Sequence, residues 1–256
     1  MDLGIGDHVY VVSGGSTGLG FATARVLVDE GARVVIVARD ERRMSTALAA
    51  LGPAAVGLAA DLADPSTAGA AVDLAVSAFG RLDGGLISIG GPPAGSPLTT
   101  TDDQWQLAFT TVFLGSLRLA RALCVGITDT GRASTGSIAW VLSTSAVEVF
   151  TGLSASNGLR PGLAMIVKDL ADEVGPSGIR VNGLLPGRIA TDRLAALDAA
   201  TGDPSAARAR ASAAIPLRRY GDPEEFGRVA AFALSPAASY VTGGLVRVDG
   251  GSTRHP

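Results

Sequence analysis

The first residues whose types and spacing suggest chemistry form a glycine-rich turn near the start of the chain. An apolar run ends at Ser13, and the residues that follow are Gly14, Gly15, Ser16, Thr17, Gly18, Leu19 and Gly20. The glycines at 14, 18 and 20 allow a tight turn and a close approach of the backbone to a phosphate group. A helical pattern begins directly afterwards, and the N-terminus of a helix offers free N–H groups and a positive dipole end. The turn from 14 to 20 is therefore predicted to bind the diphosphate of a dinucleotide.

Charged residues after the next two apolar runs indicate which dinucleotide. The second run ends at Ala38, where an acidic residue would hold the adenosine 2′-hydroxyl group, and Arg39 follows it. Arg42 and Arg43 lie close by in the sequence. An arginine in this place accommodates a 2′-phosphate, so the sequence favours NADP(H) over NAD(H). Asp61 and Leu62, at the end of the third run, are predicted to border the adenine.

Positioning these residues requires a sheet whose strands end together. Short β-branched runs alternate with longer stretches of helical spacing, which is typical of βαβ units and a parallel sheet with helices on both faces. The runs are almost continuously apolar, as expected for strands that are buried on both sides. The predicted strands cover residues 8–13, 33–38, 55–60, 85–89, 137–143, 179–185 and 245–248.

Helix starts are marked by capping residues. Asp64 and Asp222 each precede a proline, which indicates an acidic N-cap before the first helical residue. Thr101 and Gln104 have the spacing of a capping box, and a helix is predicted from about 102 to 123.

Composition excludes several classes of protein. The chain has 256 residues, a net charge of −3, a single cysteine, Cys124, and two histidines, His8 and His255. This charge gives no basic surface for nucleic acid, and the histidines lie too far apart in sequence for a metal site or a histidine-based triad to be expected. The apolar runs are too short for a membrane helix, and the N-terminus lacks an export signal, so a cytoplasmic protein is predicted.

No linker divides the chain, so residues 1–256 are predicted to form a single domain. Residues 195–214 are rich in alanine and arginine and poor in bulky side chains. We interpret the region 192–220 as a lid over the substrate.

Several motifs, taken in order, resemble the short-chain dehydrogenase/reductase family, with a ketoacyl-reductase-like character. They are the turn at 13–20, Asp61-Leu62, Gly90-Gly91, Ser143, Ile179-Arg180-Val181-Asn182, Pro186-Gly187-Arg188-Ile189-Ala190-Thr191 and Val248-Asp249-Gly250-Gly251. The resemblance implies one Rossmann-like, doubly wound domain with a seven-stranded parallel sheet, a nicotinamide cofactor across the carboxyl ends of the strands, and a homotetramer or dimer. It also implies that the cofactor, mainly its nicotinamide end, is bordered by Gly90, Pro186, Gly187, Ile189 and Thr191.

The catalytic positions depart from that family, which uses an Asn–Ser–Tyr–Lys set. Matching Asn182 to its motif places the tyrosine position at Ser156 and the lysine position at Arg160, while Ser143 keeps the catalytic serine. Val112 stands at the asparagine position. Ser143, Ser156 and Arg160 are the catalytic candidates, and Arg160 is also a candidate for binding the cofactor. An aliphatic hydroxyl cannot replace a phenol as an acid, and an arginine stays protonated.

Two further expectations concern this region. Pro161 lies where the family has the early turns of a long helix, so we expect that helix to begin near Arg160 or Pro161 or to be kinked there. Tyr220 and Glu148 are alternative proton donors.

Three functions agree with these features. The first is an NADP(H)-dependent oxidoreductase that acts on a small-molecule carbonyl or alcohol, with the proton supplied by water or substrate. The second is a catalytically silent dinucleotide-binding protein, either a sensor or the partner of an active paralogue in a heteromer. The third is a non-redox lyase or isomerase that uses the same pocket.

Overall fold

The computed structural model describes residues 2–254, and its centre is one sheet of seven parallel strands. The strand order is β3-β2-β1-β4-β5-β6-β7. Successive strands are added on one side of β1 up to β3 and on its other side from β4 onward, so the switch point lies between β1 and β4. The strands are β1 Val9–Ser13, β2 Arg33–Ala38, β3 Ala55–Ala59, β4 Gly84–Ile87, β5 Ser137–Val141, β6 Arg180–Pro186 and β7 Leu245–Val248. The α-helices are α1 Gly18–Asp29, α2 Glu41–Leu51, α3 Thr67–Phe79, α4 Asp102–Ala108, α5 Gly115–Asp129, α6 Ser154–Val174, α7 Asp192–Ala199, α8 Pro204–Ala214 and α9 Pro223–Leu234.

Helices cover both faces of the sheet because alternate strand residues point to opposite sides. Val9 and Val11 of β1 join the apolar cluster under α3, α5 and α6. Tyr10 and Val12 of the same strand join the cluster under α1, α2 and α9. The predicted fold class is confirmed, and each predicted strand overlaps an observed one with ends that differ by two residues or fewer.

Two predicted helix starts are confirmed and a third is wrong. Helix α4 follows the Thr101–Gln104 capping box, and α9 begins at Pro223 after the N-cap Asp222. Helix α3 begins at Thr67, not at Pro65. The reason is that the Asp64 carboxylate accepts hydrogen bonds from the backbone N–H and the hydroxyl of Ser66, each at 2.8 Å, which closes a turn before the helix.

The expected late start of α6 is also wrong, since the helix runs without a break from Ser154 to Val174 with Pro161 inside it. Packing explains this. A Cβ atom on Gly158 would lie 2.8 Å from the Trp105 ring, and one on Gly162 would lie 3.1 Å from the Phe113 ring, so these glycines let α6 approach two aromatic side chains closely. The next face of α6 buries Leu159, Leu163 and Val167 in the core. This burial holds the helix together around a proline that local preference would place at its start.

Helices α4 and α5 are joined without interruption by a π-helical segment, Phe109–Leu114. Within residues 2–254, the resulting stretch of 28 residues, Asp102–Asp129, is the one helix long and apolar enough to cross a membrane by length and composition alone. Its inward-facing residues Leu119, Leu123 and Ile127 are fully buried in the core beside the sheet. A core helix of this kind meets the same criteria.

The sequence predictions that no metal is bound and that the protein is cytoplasmic stay predictions. His255 lies outside the described residues. Within them, no three His, Cys, Asp or Glu side chains lie close enough together to hold a metal ion.

Candidate functional site

The glycine-rich turn joins the end of β1 to the start of α1 and leaves no room for a side chain at Gly14 or at Gly20. Gly14 and Gly18 have φ values of 59° and 57°, a conformation that favours glycine. A Cβ atom on Gly20 would lie 2.3 Å from the carbonyl oxygen of Gly14. A Cβ atom on Gly14 would lie 2.6 Å from the carbonyl oxygen of Ser88. The turn is therefore folded tightly at the N-terminus of α1, where Ser16, Thr17 and Leu19 complete it.

Two neighbouring loops converge on this turn. The Ser13 hydroxyl donates to the Ser88 carbonyl at 3.0 Å and accepts from the Ser88 N–H at 2.9 Å, which fixes the turn to the end of β4. A Cβ atom on Gly18 would lie 3.6 Å from the methyl group of Thr191 in the loop after β6. Thr17, the N-cap of α1, makes no capping hydrogen bond with its side chain. The first N–H groups of α1 thus donate no hydrogen bond to the side chain of their N-cap residue, as a phosphate site requires.

Arg39 and Asp61 lie together at the tips of β2 and β3. Their charged groups are 3.5 Å apart, and the Arg39 side chain is largely exposed. Asp61 also accepts a hydrogen bond from the Ala63 N–H at 2.9 Å. Leu62 is buried in the apolar core, whereas the side chains of Arg39 and Asp61 are at least partly exposed.

Three serines are linked by hydrogen bonds after β5. Ser143 accepts a hydrogen bond from the Ser145 N–H at 3.1 Å and caps a short 3₁₀ turn, which leaves its hydroxyl proton free to be donated. The Ser145 hydroxyl lies 2.9 Å from the hydroxyl of Ser156 on α6, and both residues are buried. The structure therefore connects the two catalytic candidates, Ser143 and Ser156, through Ser145.

Arg160 lies one turn after Ser156 on α6 and is 4% exposed. Its Nη1 donates to the Val141 carbonyl at 2.7 Å, and its Nη2 donates to the Ile89 carbonyl at 3.4 Å. Its Nε is buried without a hydrogen-bond partner. Burial, reinforced by the positive charge of Arg193, lowers the pKa of Arg160 to about 10, so the guanidinium stays charged at neutral pH.

The segment after β6 contacts the loop after β4 through hydrogen bonds of Arg193. Pro186 ends β6, and a Cβ atom on Gly187 would lie 2.7 Å from the Cβ of Asp249. Ile189 pairs with Gly221 as an isolated bridge. Arg193 donates to the carbonyl oxygens of Gly91 at 2.7 Å and Pro92 at 2.9 Å, next to the exposed Gly90.

Neither alternative proton donor is left free. The Tyr220 hydroxyl donates to the Asp198 carboxylate at 3.1 Å and accepts from Arg188 at 3.2 Å. These bonds attach α7 to the segment that precedes α9. The Glu148 carboxylate accepts from the Arg254 N–H at 2.7 Å.

The residues present fit a dinucleotide. The turn has no space for a Cβ atom at Gly20, the α1 N–H groups donate no hydrogen bond to their N-cap side chain, and Arg39 offers an exposed cation at the tip of β2. A cleft of about 480 Å³ opens beside the turn and includes Gly18 and Thr191, although it extends along α1 and is not lined by Ser143 or Arg160.

The hydrogen bond from Arg193 to the Gly91 carbonyl was not predicted from the sequence. It joins residues that are far apart in sequence, and no local pattern marks it.

The comparisons with known proteins agree over nearly the whole chain. A family profile described as enoyl-(acyl carrier protein) reductase matches residues 14–253. Cis-4-hydroxycyclohexanecarboxylate dehydrogenase of Sinomonas cyclohexanicum is 32% identical over 252 residues, which cover 96% of this chain and 97% of the relative. The inactive 2-(S)-hydroxypropyl-CoM dehydrogenase 2 of Xanthobacter autotrophicus is 32% identical over 231 residues, which cover 90% of this chain and 99% of that one. A crystal structure of L-sorbose reductase from Gluconobacter frateurii, complexed with NADPH and L-sorbose, has a TM-score of 0.94 and 30% identity and covers 100% of both chains.

Proposed function

The chain belongs to the short-chain dehydrogenase/reductase family, and from this premise we propose that it is an NADP(H)-dependent oxidoreductase that interconverts a small-molecule alcohol and the corresponding carbonyl. The observation that carries the proposal is the glycine turn at 14–20, in which Gly20 has no space for a Cβ atom at the N-terminus of α1. The names of the relatives support an alcohol or carbonyl substrate, and the neighbour that binds NADPH supports the cofactor class.

Arg39 supports the preference for NADP(H). Its exposed guanidinium stands at the tip of β2, where a 2′-phosphate would lie, and the carboxylate near it belongs to the neighbouring strand tip at Asp61. We also assign the cofactor site to Ser16, Thr17, Gly90, Pro186, Gly187, Ile189 and Thr191, which lie in the turn and the two loops that converge on it.

The nicotinamide supplies or accepts the hydride when it is bound. The Ser143 hydroxyl donates a hydrogen bond to the substrate oxygen, since its own oxygen is already fixed by the Ser145 N–H. Ser156 positions Ser145 through their shared hydrogen bond. Arg160 contributes a positive charge that stabilises negative charge on the bound substrate, including a developing alkoxide. Because position 156 holds no phenol, water or the substrate supplies the proton.

The test is a binding titration followed by an activity assay. NADPH and NADH are titrated by calorimetry, and NADPH oxidation is then measured with β-ketoacyl thioesters, quinones and small ketones. We expect tighter binding of NADPH and a Ser143→Ala variant that loses about 10²-fold or more in kcat, the usual effect of removing one donor to a developing oxyanion. Ser77→Ala, on the exposed surface of α3, is the matched control. Failure to bind either nucleotide would overturn the proposal.

A catalytically silent dinucleotide-binding protein is the second candidate. It is favoured by the replacement of the family tyrosine, lysine and asparagine at Ser156, Arg160 and Val112, and by the similarity to a relative whose name describes it as inactive. Tight binding of NADPH without turnover on any substrate of the panel supports this candidate. Copurification of a second chain of the same family would assign it to a heteromer.

The proposal extends to the lid and to self-association. Residues 192–220 leave the body of the protein at a closed base, where the Ala190 N–H donates to the Gly221 carbonyl at 2.8 Å and the Gly221 N–H donates to the Arg188 carbonyl at 3.0 Å. We assign this segment as a substrate lid on a single domain.

Exposed apolar residues on α4 to α6 and on β7 support a homo-oligomer.

A further inference from the structure

The base of the candidate site contains a buried positive charge without a negative partner. Arg160 forms no ion pair among the described residues, and its two hydrogen bonds go to backbone carbonyl oxygens. One of these bonds is long, at 3.4 Å, and the Nε donor has no acceptor. A buried donor without an acceptor is costly, and a buried charge without a counter-ion more so.

Arg180 shows what a structural buried arginine looks like in the same protein. It is 8% exposed, and its two Nη atoms donate to the carbonyl oxygens of Ala233, Leu234, Ser235 and Val241 at the end of α9 and just beyond it. Its Nε is not among the fully buried donors that lack an acceptor, unlike that of Arg160. Arg180 therefore leaves no buried donor unsatisfied without a ligand, whereas Arg160 does.

A second guanidinium reaches the same place from the lid. Arg193 on α7 donates to the Gly91 and Pro92 carbonyls, while Arg160 donates to the Ile89 carbonyl, so both converge on the loop from 89 to 92. Arg193 also forms no ion pair among the residues from 2 to 254. Each of the two side chains uses two of its five donors, which leaves charge and donors available for an acceptor between them.

We propose that Arg160 and Arg193 together bind an anionic group of the substrate, most simply a carboxylate, so that this enzyme acts on hydroxy or oxo acids. The inference rests on the proposed function. Sugar or ribose hydroxyls accept hydrogen bonds but leave the positive charge uncompensated, whereas a carboxylate supplies both the acceptors and the charge. The carboxylate replaces the Gly91 and Pro92 carbonyls as the partner of Arg193, and movement of α7 gives it access to Arg160.

The test uses two probes that differ in charge and are nearly equal in shape. Cyclohexanecarboxylate and cyclohexanecarboxamide are titrated by calorimetry into the full-length protein, with and without NADP⁺, at constant ionic strength. We expect the carboxylate to bind about tenfold tighter or more than the carboxamide, as charge-assisted hydrogen bonds predict. Equal affinity of the two probes, or binding of neither, overturns the inference.

Variants assign the preference to the two arginines. Arg193→Gln lies on the exposed lid and is expected to fold normally, and it should reduce the preference for the carboxylate by about tenfold. Arg160→Met should abolish the preference if the variant folds, and Arg121→Gln on the exposed side of α5, outside the lid, is the control with an unchanged preference. A preference that survives Arg193→Gln overturns the assignment.

Direct titration of NADP⁺ distinguishes this inference from the proposed function. If wild type binds NADP⁺ but shows no preference for the carboxylate, only the inference fails. If Arg193→Gln weakens NADP⁺ binding and leaves the probe preference unchanged, the anion held by Arg193 belongs to the cofactor, and the inference is overturned. If NADP⁺ does not bind at all, the proposed function fails, whatever the probes show.

Discussion

Gly20 shows how little space the phosphate turn leaves at the scale of a single residue. The carbonyl oxygen of Gly14 lies 2.3 Å from where a Cβ atom of residue 20 would be, and neither atom can rotate away, because the backbone fixes both positions. A side chain at position 20 therefore forces the turn and the first N–H groups of α1 apart.

We expect Gly20→Ala to lower the affinity for NADPH by at least about tenfold, because the diphosphate is bound by backbone groups of this turn. Calorimetric titration measures the affinity. Gly69→Ala is the matched control: it also lies in a helix, α3, but a Cβ atom there meets nothing within 4 Å. This control should bind NADPH normally and gain about 0.5–1 kcal/mol in free energy of unfolding. Equal binding by both variants would contradict the assignment of the turn.

His8 gives a second prediction at this scale. Burial lowers the pKa of His8 below its ordinary value of 6.5, although the charge of Asp83 opposes the shift. The unfolded chain therefore binds a proton more readily than the folded protein, and the stability present above about pH 6.5 is lost as the pH falls below it.

We expect His8→Gln to flatten the decrease of the unfolding temperature between about pH 7 and pH 5, because the variant has no imidazole to protonate. Thermal unfolding across this range measures the slope. His255→Gln measures the contribution of the other histidine. Identical slopes for wild type and His8→Gln would show that acid destabilisation arises elsewhere.

At the scale of an element, helix α6 is unusual because it contains a proline in its interior. Pro161 has no N–H to donate to the Asn157 carbonyl, four residues earlier, yet the helix continues through it. Packing of Gly158 and Gly162 against Trp105 and Phe113 offsets this loss.

We expect Pro161→Ala to raise the free energy of unfolding by about 1 kcal/mol or more, since it restores a hydrogen bond inside the helix. Pro223→Ala at the first position of α9 is the control and should have the opposite sign, a loss of about 0.4–1 kcal/mol, because proline there only restricts the unfolded chain. Urea denaturation measures both. Destabilisation by Pro161→Ala would show that the proline is accommodated without cost.

The contrast between strands and helix starts explains what the sequence could predict. The strands were predicted closely because a β-branched, apolar run is itself the cause of a strand buried on both sides. The start of α3 was wrong since Asp64 bonds Ser66 in a turn and does not cap a helix. The start of α6 was wrong because the packing that overrides Pro161 comes from residues some fifty positions earlier in the chain.

One part of the candidate site could be predicted from the sequence, and the other parts could not. The glycine turn is local, so its spacing alone predicts its conformation, and the positive φ angles of Gly14 and Gly18 agree with it. The link from Ser143 through Ser145 to Ser156 joins a strand end to a helix, and its geometry follows only from how the two pack. The approach of Arg193 to the loop at 89–92 depends on the path of a long connection.

At the scale of the whole molecule, the amino and carboxyl ends of the parallel strands differ in how buried polar groups are paired. At the amino end, where β4 begins, Asp83 is fully buried and accepts from the Val9 N–H at 2.8 Å and from two nitrogens of Arg81 at 2.7 and 2.6 Å. At the carboxyl end, Arg160 keeps a buried donor without an acceptor. Complete pairing stabilises the amino end, and incomplete pairing leaves the carboxyl end ready for a ligand.

The outer surface also carries apolar residues that one chain does not cover. Leu107 on α4 and Met165 on α6 are 61% and 72% exposed, and Phe109 beside them is partly exposed as well. Trp105 and Phe113 already join these helices, so the exposed residues lie on one connected helical layer. An exposed apolar surface of this kind is typical of an interface between subunits.

We expect wild type to form a dimer or tetramer, and the double variant Leu107→Glu, Met165→Glu to shift to smaller species, because carboxylates on facing copies repel each other and resist burial. Light scattering coupled to size exclusion measures the mass, and NADPH titration verifies that the variant is folded. Ala49→Glu on the exposed side of α2 adds a carboxylate away from this layer and should leave the mass unchanged. If wild type elutes with the mass of one chain, the helical layer does not mediate self-association; if the double variant keeps the wild-type mass, the interface lies elsewhere.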